Sequence, residues 1–266
     1  MVVRVRLGTP YYEEEVLKDK IKKFVDTKQF HICMVGLIIF IILFVVGIIC
    51  LIYNVEGEGK VPFYISQISV ISNVEGSNVE DNINKWNLQV NQNNDIYLYV
   101  KKNDNYSDTE IIESIKIDNF NVVQSPNIGE LKLFKPDNKA ENVIFKNTTE
   151  NEVNVIEYTG SMESNIKELK ISNQGGLVVF RCGINNLGNY ISNEEEEINH
   201  SELLKKIGIN NDDLKCQVTF DISITLNSGK TYNSNVDLEL PINDIVNNGT
   251  QSQEYKDLEN VIFKRK

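Results

Sequence analysis

Apolar positions follow two different patterns, which divide the chain near residue 53. Residues 33–53 read CMVGLIIFIILFVVGIICLIY, twenty-one positions without a charged side chain. A helix of that length rises about 30 Å, the thickness of a bilayer's hydrocarbon core. It has no polar face, whereas a core helix of a soluble domain usually has one. The pattern predicts a transmembrane helix over residues 31–53, in contact with the lipid bilayer.

This segment is predicted to remain in the protein as an uncleaved signal anchor. A cleaved signal peptide has an apolar run of about 7–15 residues and a small-residue exit. Here the run is longer, and the exit reads LIYNVEGEG. Cys50 follows two isoleucines, where lipoprotein processing needs a small residue. Cys33 and Cys50 are therefore interpreted as apolar residues that face lipid.

Beyond residue 53, apolar residues recur at every second position, which is typical of β-strands. In residues 216–240, alternate positions are apolar on both sides of the turn sequence NSGK, so a long β-hairpin with one buried face is predicted around Gly229. The run GLVVFRCG (176–183) is apolar at successive positions, as in a strand buried on both faces. Further strands are predicted in FYISQISVIS, NLQVNQ, IIESIKI and FNVVQ, and at 96–100, 131–133 and 153–155.

One short helix is predicted in NHSELLKKIG, with Asn199 as its N-cap and Gly208 at its end. Many short strands and a single helix make residues 54–266 a mainly β region, best described as an antiparallel β-sandwich. Its length fits one elaborated sandwich or two small ones. The stretch 135–150 is the most plausible internal boundary.

Residues 1–30 form a basic tail, predicted to be helical from about residue 10, where Thr9 and Pro10 suit a helix start. Lysines flank the apolar run unequally, with one (Lys60) in residues 54–68 and five in residues 17–31: Lys18, Lys20, Lys22, Lys23 and Lys28. Basic residues stay on the cytoplasmic side. The chain is therefore predicted to cross the plasma membrane once, with a cytoplasmic N-terminus and residues 54–266 outside.

The net charge of residues 54–266 limits the kinds of molecule that they can bind. Residues 54–266 contain 20 Lys or Arg against 33 Asp or Glu, a net charge of −13. Such a surface repels nucleic acid and anionic headgroups, so nucleic acid is excluded as a partner.

Candidate catalytic chemistry is sparse. The outer region has one histidine, His200, which lies in the predicted helix cap and is interpreted as a surface residue. A calcium site at 194–197 is disfavoured, because four consecutive glutamates lack the alternate spacing of a calcium loop. No catalytic, cofactor-binding or metal-binding residues are assigned, and no cofactor is expected. A carboxylate pair that meets only in the fold stays open.

Cys182 and Cys216 are the two cysteines of the outer region, and both lie in predicted strands. They could form a disulfide between two sheets, and two buried free thiols are the alternative.

The stretch 168–209, ELKISNQGGLVVFRCGINNLGNYISNEEEEINHSELLKKIGI, together with FDISITLNSGKTYNSNVDLELP (220–241), resembles a family of uncharacterised single-pass membrane proteins of low-GC Gram-positive bacteria and related lineages. The resemblance implies a bacterial cell envelope and carries over no functional residues.

These observations favour a membrane-anchored extracytoplasmic β-domain that binds an unidentified protein or envelope partner, or has a structural role in the envelope, and that is not an enzyme. The alternative is an anchored envelope hydrolase that uses a carboxylate pair on glycan or peptide.

Overall fold

The computed structural model describes residues 17–20, 22, 23, 25, 27–55, 61–79, 85–106, 109–139, 143–192 and 197–266, with the backbone alone at 52–55. The chain divides into two compact units, Met1–Val55 and Glu56–Lys266. The predicted helix start near residue 10 and most of the glutamate run 194–197 lie outside the described residues. Residues 17–20, 22, 23 and 25 are helical.

The first unit contains helix α1 (Lys28–Val55). Its part Lys28–Leu51, 24 residues, is long and apolar enough to cross a membrane. From residue 31 to residue 51 every side chain is exposed, so this helix has no protein core to bury its apolar surface. A bilayer would cover that surface, because lipid tails are as apolar as the side chains.

In its described residues, the second unit has two β-sheets, two four-residue α-helices, α2 (Leu203–Lys206) and α3 (Ile245–Asn248), and two 3₁₀ helices, His200–Glu202 and Asn211–Leu214. The first sheet has the strand order β10-β1-β2-β7-β4, and the second has the order β11-β9-β8-β3-β5-β6. The strands are β1 Phe63–Asn78, β2 Asn87–Lys102, β3 Ile112–Gln124, β4 Glu130–Phe134, β5 Ile156–Ser161, β6 Lys170–Ser172, β7 Gly175–Ile191, β8 Gln217–Leu226, β9 Thr231–Glu239, β10 Thr250–Tyr255 and β11 Lys264–Arg265.

The two sheets share a principal core, in which inward side chains such as Ile68, Phe180 and Phe220 pack together. The rings of Phe180 and Phe220, one from each sheet, meet edge to face with centroids 5.2 Å apart. A smaller end core forms where Leu203 and Leu204 of α2 pack with residues of β1, β2 and β7. The predicted mainly β fold with two sheets is therefore confirmed.

In both sheets, strands that precede the stretch 135–150 pair with strands that follow it. β4, which precedes it, pairs with β7, which follows it, and β3 likewise pairs with β5 and β8. Glu56–Lys266 accordingly forms one compact unit.

The hairpin of β8 and β9 agrees closely with its prediction. Every second residue of β8, from Val218 to Leu226, is buried. The chain turns through residues 227–230, with Gly229 at φ 79°, a left-handed conformation that favours glycine. Leu226 N donates to Lys230 O at 2.9 Å and closes the turn.

Several details differ from the predictions. NLQVNQ and 96–100 are one strand, β2, which a bulge near Val90 interrupts without ending it. IIESIKI and FNVVQ likewise form one strand, β3, which bends at Asn119, where φ is 50°. The predicted strand at 153–155 is wrong, since β5 begins at Ile156.

Two further features were not foreseen. β5 and β6 pair in parallel, whereas the prediction was antiparallel throughout. A second helix, α3, forms where Ile245 and Val246 are buried and Gly249 ends the helix in a left-handed conformation. Asparagines around these two apolar residues hid the helical pattern.

Candidate binding groove

Strand β9 pairs with β8 along its whole length but with β11 only at Tyr232 and Asn233, so the rest of its outer side is an exposed edge. Its backbone groups alternate between two directions. Just beyond its two ends, Leu226 N donates to Lys230 O and Leu240 N donates to Cys216 O, so even-numbered residues of this hairpin arm bond toward β8. Odd-numbered residues of β9 therefore direct their N–H and C=O groups away from β8.

The backbone groups of β9 that face away from β8 are bonded at both ends of the strand. At one end β11 pairs with Tyr232 and Asn233. At the other end the Tyr255 hydroxyl donates to Glu239 O at 2.6 Å. The stretch between these contacts, residues 234–238, forms an open edge.

Asn235 and Asp237 are the odd-numbered residues within this open edge. Among the described residues, neither pairs with a strand on the side away from β8. The Asn235 carbonyl receives a long contact, 3.5 Å, from the Ser234 hydroxyl. Unpaired backbone groups on an edge are a template for pairing with another chain.

A groove of about 640 Å³ runs along this edge. One wall is β9, and the other is the segment 255–262, which follows β10 and contributes Tyr255, Leu258 and Val261. These three side chains are half-buried and pack against the principal core, so each presents part of its apolar surface to the groove.

Three carboxylates, Asp221, Asp237 and Asp257, also line the groove. Asp221 accepts hydrogen bonds from the amides of Asn119 (2.8 Å) and Asn235 (2.7 Å). Asp237 accepts one from Gln217 at 2.8 Å. The described residues contain no ion pair to any of the three carboxylates.

A second recess, lined by parts of β3 and β4, differs in its charges. There Lys116 lies 2.6 Å from Asp118, and Lys132 lies 3.1 Å from Glu152. Its charges are thus neutralised within the chain. In the β9 groove, Asp221 and Asp237 bond neutral amides, and Asp257 bonds no side chain among the described residues.

A buried ion pair lies on the first sheet. The Arg181 guanidinium donates from Nε to Asp95 Oδ1 at 2.5 Å and from Nη2 to Oδ2 at 3.1 Å. The Phe145 ring covers it, with its centroid 4.8 Å from Arg181 Cζ. Burial raises the pKa of Asp95, and Arg181 partly opposes that rise.

The two cysteines of the outer region, Cys182 and Cys216, are both buried free thiols. Cys182 of β7 and Cys216, just before β8, come from different sheets and both belong to the principal core. Burial raises the pKa of the Cys216 thiol to about 12 and that of Cys182 well above its ordinary value, where the nearby Cys216 contributes further.

The remaining candidates lie on surfaces. The five flanking lysines are exposed in the first unit, and Glu197 is exposed in the second. His200 is also exposed, and its Nδ1 accepts the backbone N–H of Gly76 at 3.2 Å. Among the described residues, no group of three or more His, Cys, Asp or Glu side chains is placed to hold a metal ion.

The groove residues were not singled out from the sequence. Alternation in FDISI and NSNVDLEL does place Asp221, Asn235 and Asp237 on the outward parity of the hairpin. It could not show that the outer side of β9 is left largely unpaired, because strand order depends on contacts far apart in the chain.

Comparisons of the chain with protein-family models, with curated proteins and with solved structures give no match.

Proposed function

We propose that this chain is a membrane-anchored binding module of the cell envelope. Helix α1 anchors it in the plasma membrane as a single span, and the β-rich unit is presented outside the cell. The observation that carries the proposal is the open edge of β9 at Asn235 and Asp237, beside a groove.

The orientation is supported by the lysines that flank α1. Five lie in residues 17–31 and one in residues 54–68, and basic residues remain in the cytoplasm. The extracytoplasmic placement and the envelope role also agree with the resemblance to single-pass membrane proteins of low-GC Gram-positive bacteria.

Binding by edge pairing suits this strand. An added strand gains affinity from main-chain hydrogen bonds and specificity from the side chains around it. Natural proteins often protect their edges with proline or an inward-pointing charge. The inward positions of the open edge are instead Ser234, Val236 and Leu238, and β9 contains no proline.

Two variants at one position test this mode of binding. Asn235→Pro removes the backbone N–H that faces the groove, and Asn235→Ala keeps it while removing the same side-chain bonds. A photo-cross-linking residue in place of Asn260, an exposed residue of the groove, is used in intact cells with each background. Adducts should persist with Ala and be lost with Pro.

Equal adducts in both backgrounds, or none in either, would overturn edge pairing. The membrane fraction and the melting temperature of each variant serve as controls for anchoring and folding.

A binding role is favoured over a carboxylate-pair hydrolase by the state of Asp95. A glycosidase acid has a raised pKa and faces its substrate. The pKa of Asp95 is raised, but this carboxylate is held by Arg181 beneath Phe145.

The purified full chain should release no fragments from cell-wall glycan or peptide. Release that is lost on changing one groove aspartate to asparagine would support the hydrolase instead.

A further inference from the structure

We propose that the β9 groove binds an extended cationic segment of another protein, in which basic and apolar residues alternate. This inference rests on the proposed binding function and names the chemistry of the partner. Three features of the groove lead to it: unpaired backbone groups, carboxylates without basic partners, and an apolar wall.

The backbone of Asn235 and Asp237 sets the conformation of the partner. An added strand would continue along β9 from Asn233, which pairs with Lys264, the first residue of β11. The chain shows this mode itself, because Lys264 and Arg265 of β11 are a basic, extended segment that pairs with β9. The rest of the edge offers the same kind of pairing to another chain.

The carboxylates set the charge of the partner. Asp221 and Asp237 are on the outward face of the second sheet, since Phe220, Ile222 and Val236 beside them face the core. Side chains of an added strand that point the same way would stand next to Asp237, with Asp221 one strand further away on β8. Lysine or arginine there would gain opposite-charge contacts. Asp257 lies on the other wall. Lys264 is the basic residue of the lining, and it lies in β11, where the groove closes.

The apolar wall of the groove is the reason why apolar residues should alternate with basic ones in the partner. In a strand, successive side chains point to opposite faces. If one set meets the aspartates, the other set points inward, toward Leu258 and Val261. Small apolar side chains suit that set, because these two residues already pack on the principal core.

A second copy of this chain fits the groove poorly. Pairing two β9 edges would bring the Asp237 carboxylates of both copies onto the same face of one short ladder, where like charges are destabilising. The net charge of −13 on residues 54–266 adds a general repulsion.

The test uses the full chain in detergent micelles and three fluorescent eight-residue peptides. The first alternates lysine and valine, the second alternates serine and valine, and the third has four lysines followed by four valines. Fluorescence anisotropy should show binding of the first peptide, with affinity at least about tenfold higher than for the other two. This affinity should fall as salt increases, because exposed charge pairs are screened.

Variants locate the site. Asp257→Asn removes the charge of an exposed acid and keeps nearly the same shape, so folding should be unaffected. Combined with Asp221→Asn and Asp237→Asn, it should lower the affinity for the lysine–valine peptide about tenfold or more. The matched control is Glu152→Gln in the recess of β3 and β4, which should leave binding unchanged.

The outcomes separate this inference from the proposed function. Equal binding of the serine and lysine alternating peptides, lost with Asn235→Pro, would keep edge pairing and overturn the cationic partner. Equal binding of the block peptide would overturn the alternation. Binding that ignores both Asn235→Pro and the aspartate variants would overturn both proposals. A concentration-dependent dimer lost with Asn235→Pro, in place of peptide binding, would keep edge pairing and overturn the cationic partner.

Discussion

The hydroxyl of Tyr158, in one sheet, bonds both backbone groups of Val179, in the other. It donates to Val179 O at 2.8 Å and accepts from Val179 N at 3.3 Å. β4 pairs with β7 only from Arg181 to Asn185, so Val179 lies just beyond the end of β4. A single side chain thus replaces a neighbouring strand at a buried edge.

Tyr158→Phe should lower the free energy of unfolding by about 1–3 kcal/mol, because the buried N–H and C=O of Val179 lose their partner. Urea denaturation with an unchanged m-value would measure this loss. Tyr99→Phe is the matched control, since the Tyr99 side chain is 40% exposed. A loss in the control as large as in Tyr158→Phe would contradict the assignment.

A second prediction concerns a buried polar layer between the principal core and the end core. Asn94 Oδ1 accepts from Ser72 Oγ at 2.7 Å and from Gln92 Nε2 at 3.1 Å, and its Nδ2 donates to Cys182 O at 3.0 Å. Gln92 Oε1 has no hydrogen-bond partner among the described residues. These side chains are fully buried.

Asn94→Leu should therefore cost about 1–3 kcal/mol for each group that it leaves unpaired, whereas Gln92→Met should cost far less, because it removes an oxygen that is already unsatisfied. Thermal unfolding of both variants tests the difference. Equal losses would show that packing, rather than hydrogen bonding, dominates this layer.

The Asp95–Arg181 pair predicts a pH dependence with a definite sign. Burial, which is the larger effect, raises the pKa of Asp95 from its ordinary value of 3.8. The folded state then holds the proton more tightly than the unfolded state. Stability from this group is present below pH 3.8 and is lost as the pH rises through the folded pKa.

Subtracting the unfolding free energy of Asp95→Asn from that of the wild type, at each pH from below 3.8 to neutrality, isolates this contribution. The difference should fall with pH and then level off. A difference that rises with pH would mean that attraction to Arg181 outweighs burial. In Arg181→Met, carboxyl NMR should show a still higher pKa of Asp95, since the guanidinium no longer lowers it.

The sequence was informative wherever local pattern decides structure. The alternation of β8 indicates its buried face correctly. Asn199 caps the 3₁₀ helix His200–Glu202, which leads into α2, by accepting the N–H of Ser201, so α2 itself begins later than the sequence predicts. The run from Asn91 to Asp95 interrupts the apolar pattern, and for this reason β2 was read as two strands. Within this run, Asn94 is satisfied by residues far along the chain, Ser72 and Cys182.

The candidate site was much harder to foresee for a related reason. Asp237 on an edge strand and on a central strand would give the same sequence pattern. What makes it part of a groove is the return of the segment 255–262 beside β9, a contact that no local rule encodes.

Cys182 and Cys216 should react with a thiol reagent only after unfolding, because burial raises the pKa of both thiols and blocks access. The native chain should take no label at these positions, and denaturation without a reductant should add two, counted by mass spectrometry of the outer peptides. Labels that appear only after a reductant is added would establish the disulfide between the sheets.

The last prediction is the orientation of the anchor. Replacing Lys18, Lys20, Lys22, Lys23 and Lys28 with glutamine leaves Lys60 as the nearest basic residue on the other side. The excess of positive charge that keeps the N-terminus in the cytoplasm would then be lost. A substantial fraction of the molecules should insert in reverse.

Spheroplasts that carry a tag at each end of the chain allow this to be measured with added protease. In the wild type the C-terminal tag should be digested and the N-terminal tag protected. In the five-glutamine variant, protected C-terminal tag should appear in proportion to the inverted molecules. Five lysines replaced elsewhere, at 101, 102, 116, 132 and 170, provide the control, since residues far from a span have little influence on its orientation. A wild-type C-terminal tag that survives while the N-terminal tag is digested would reverse the topology and place the β9 groove in the cytoplasm.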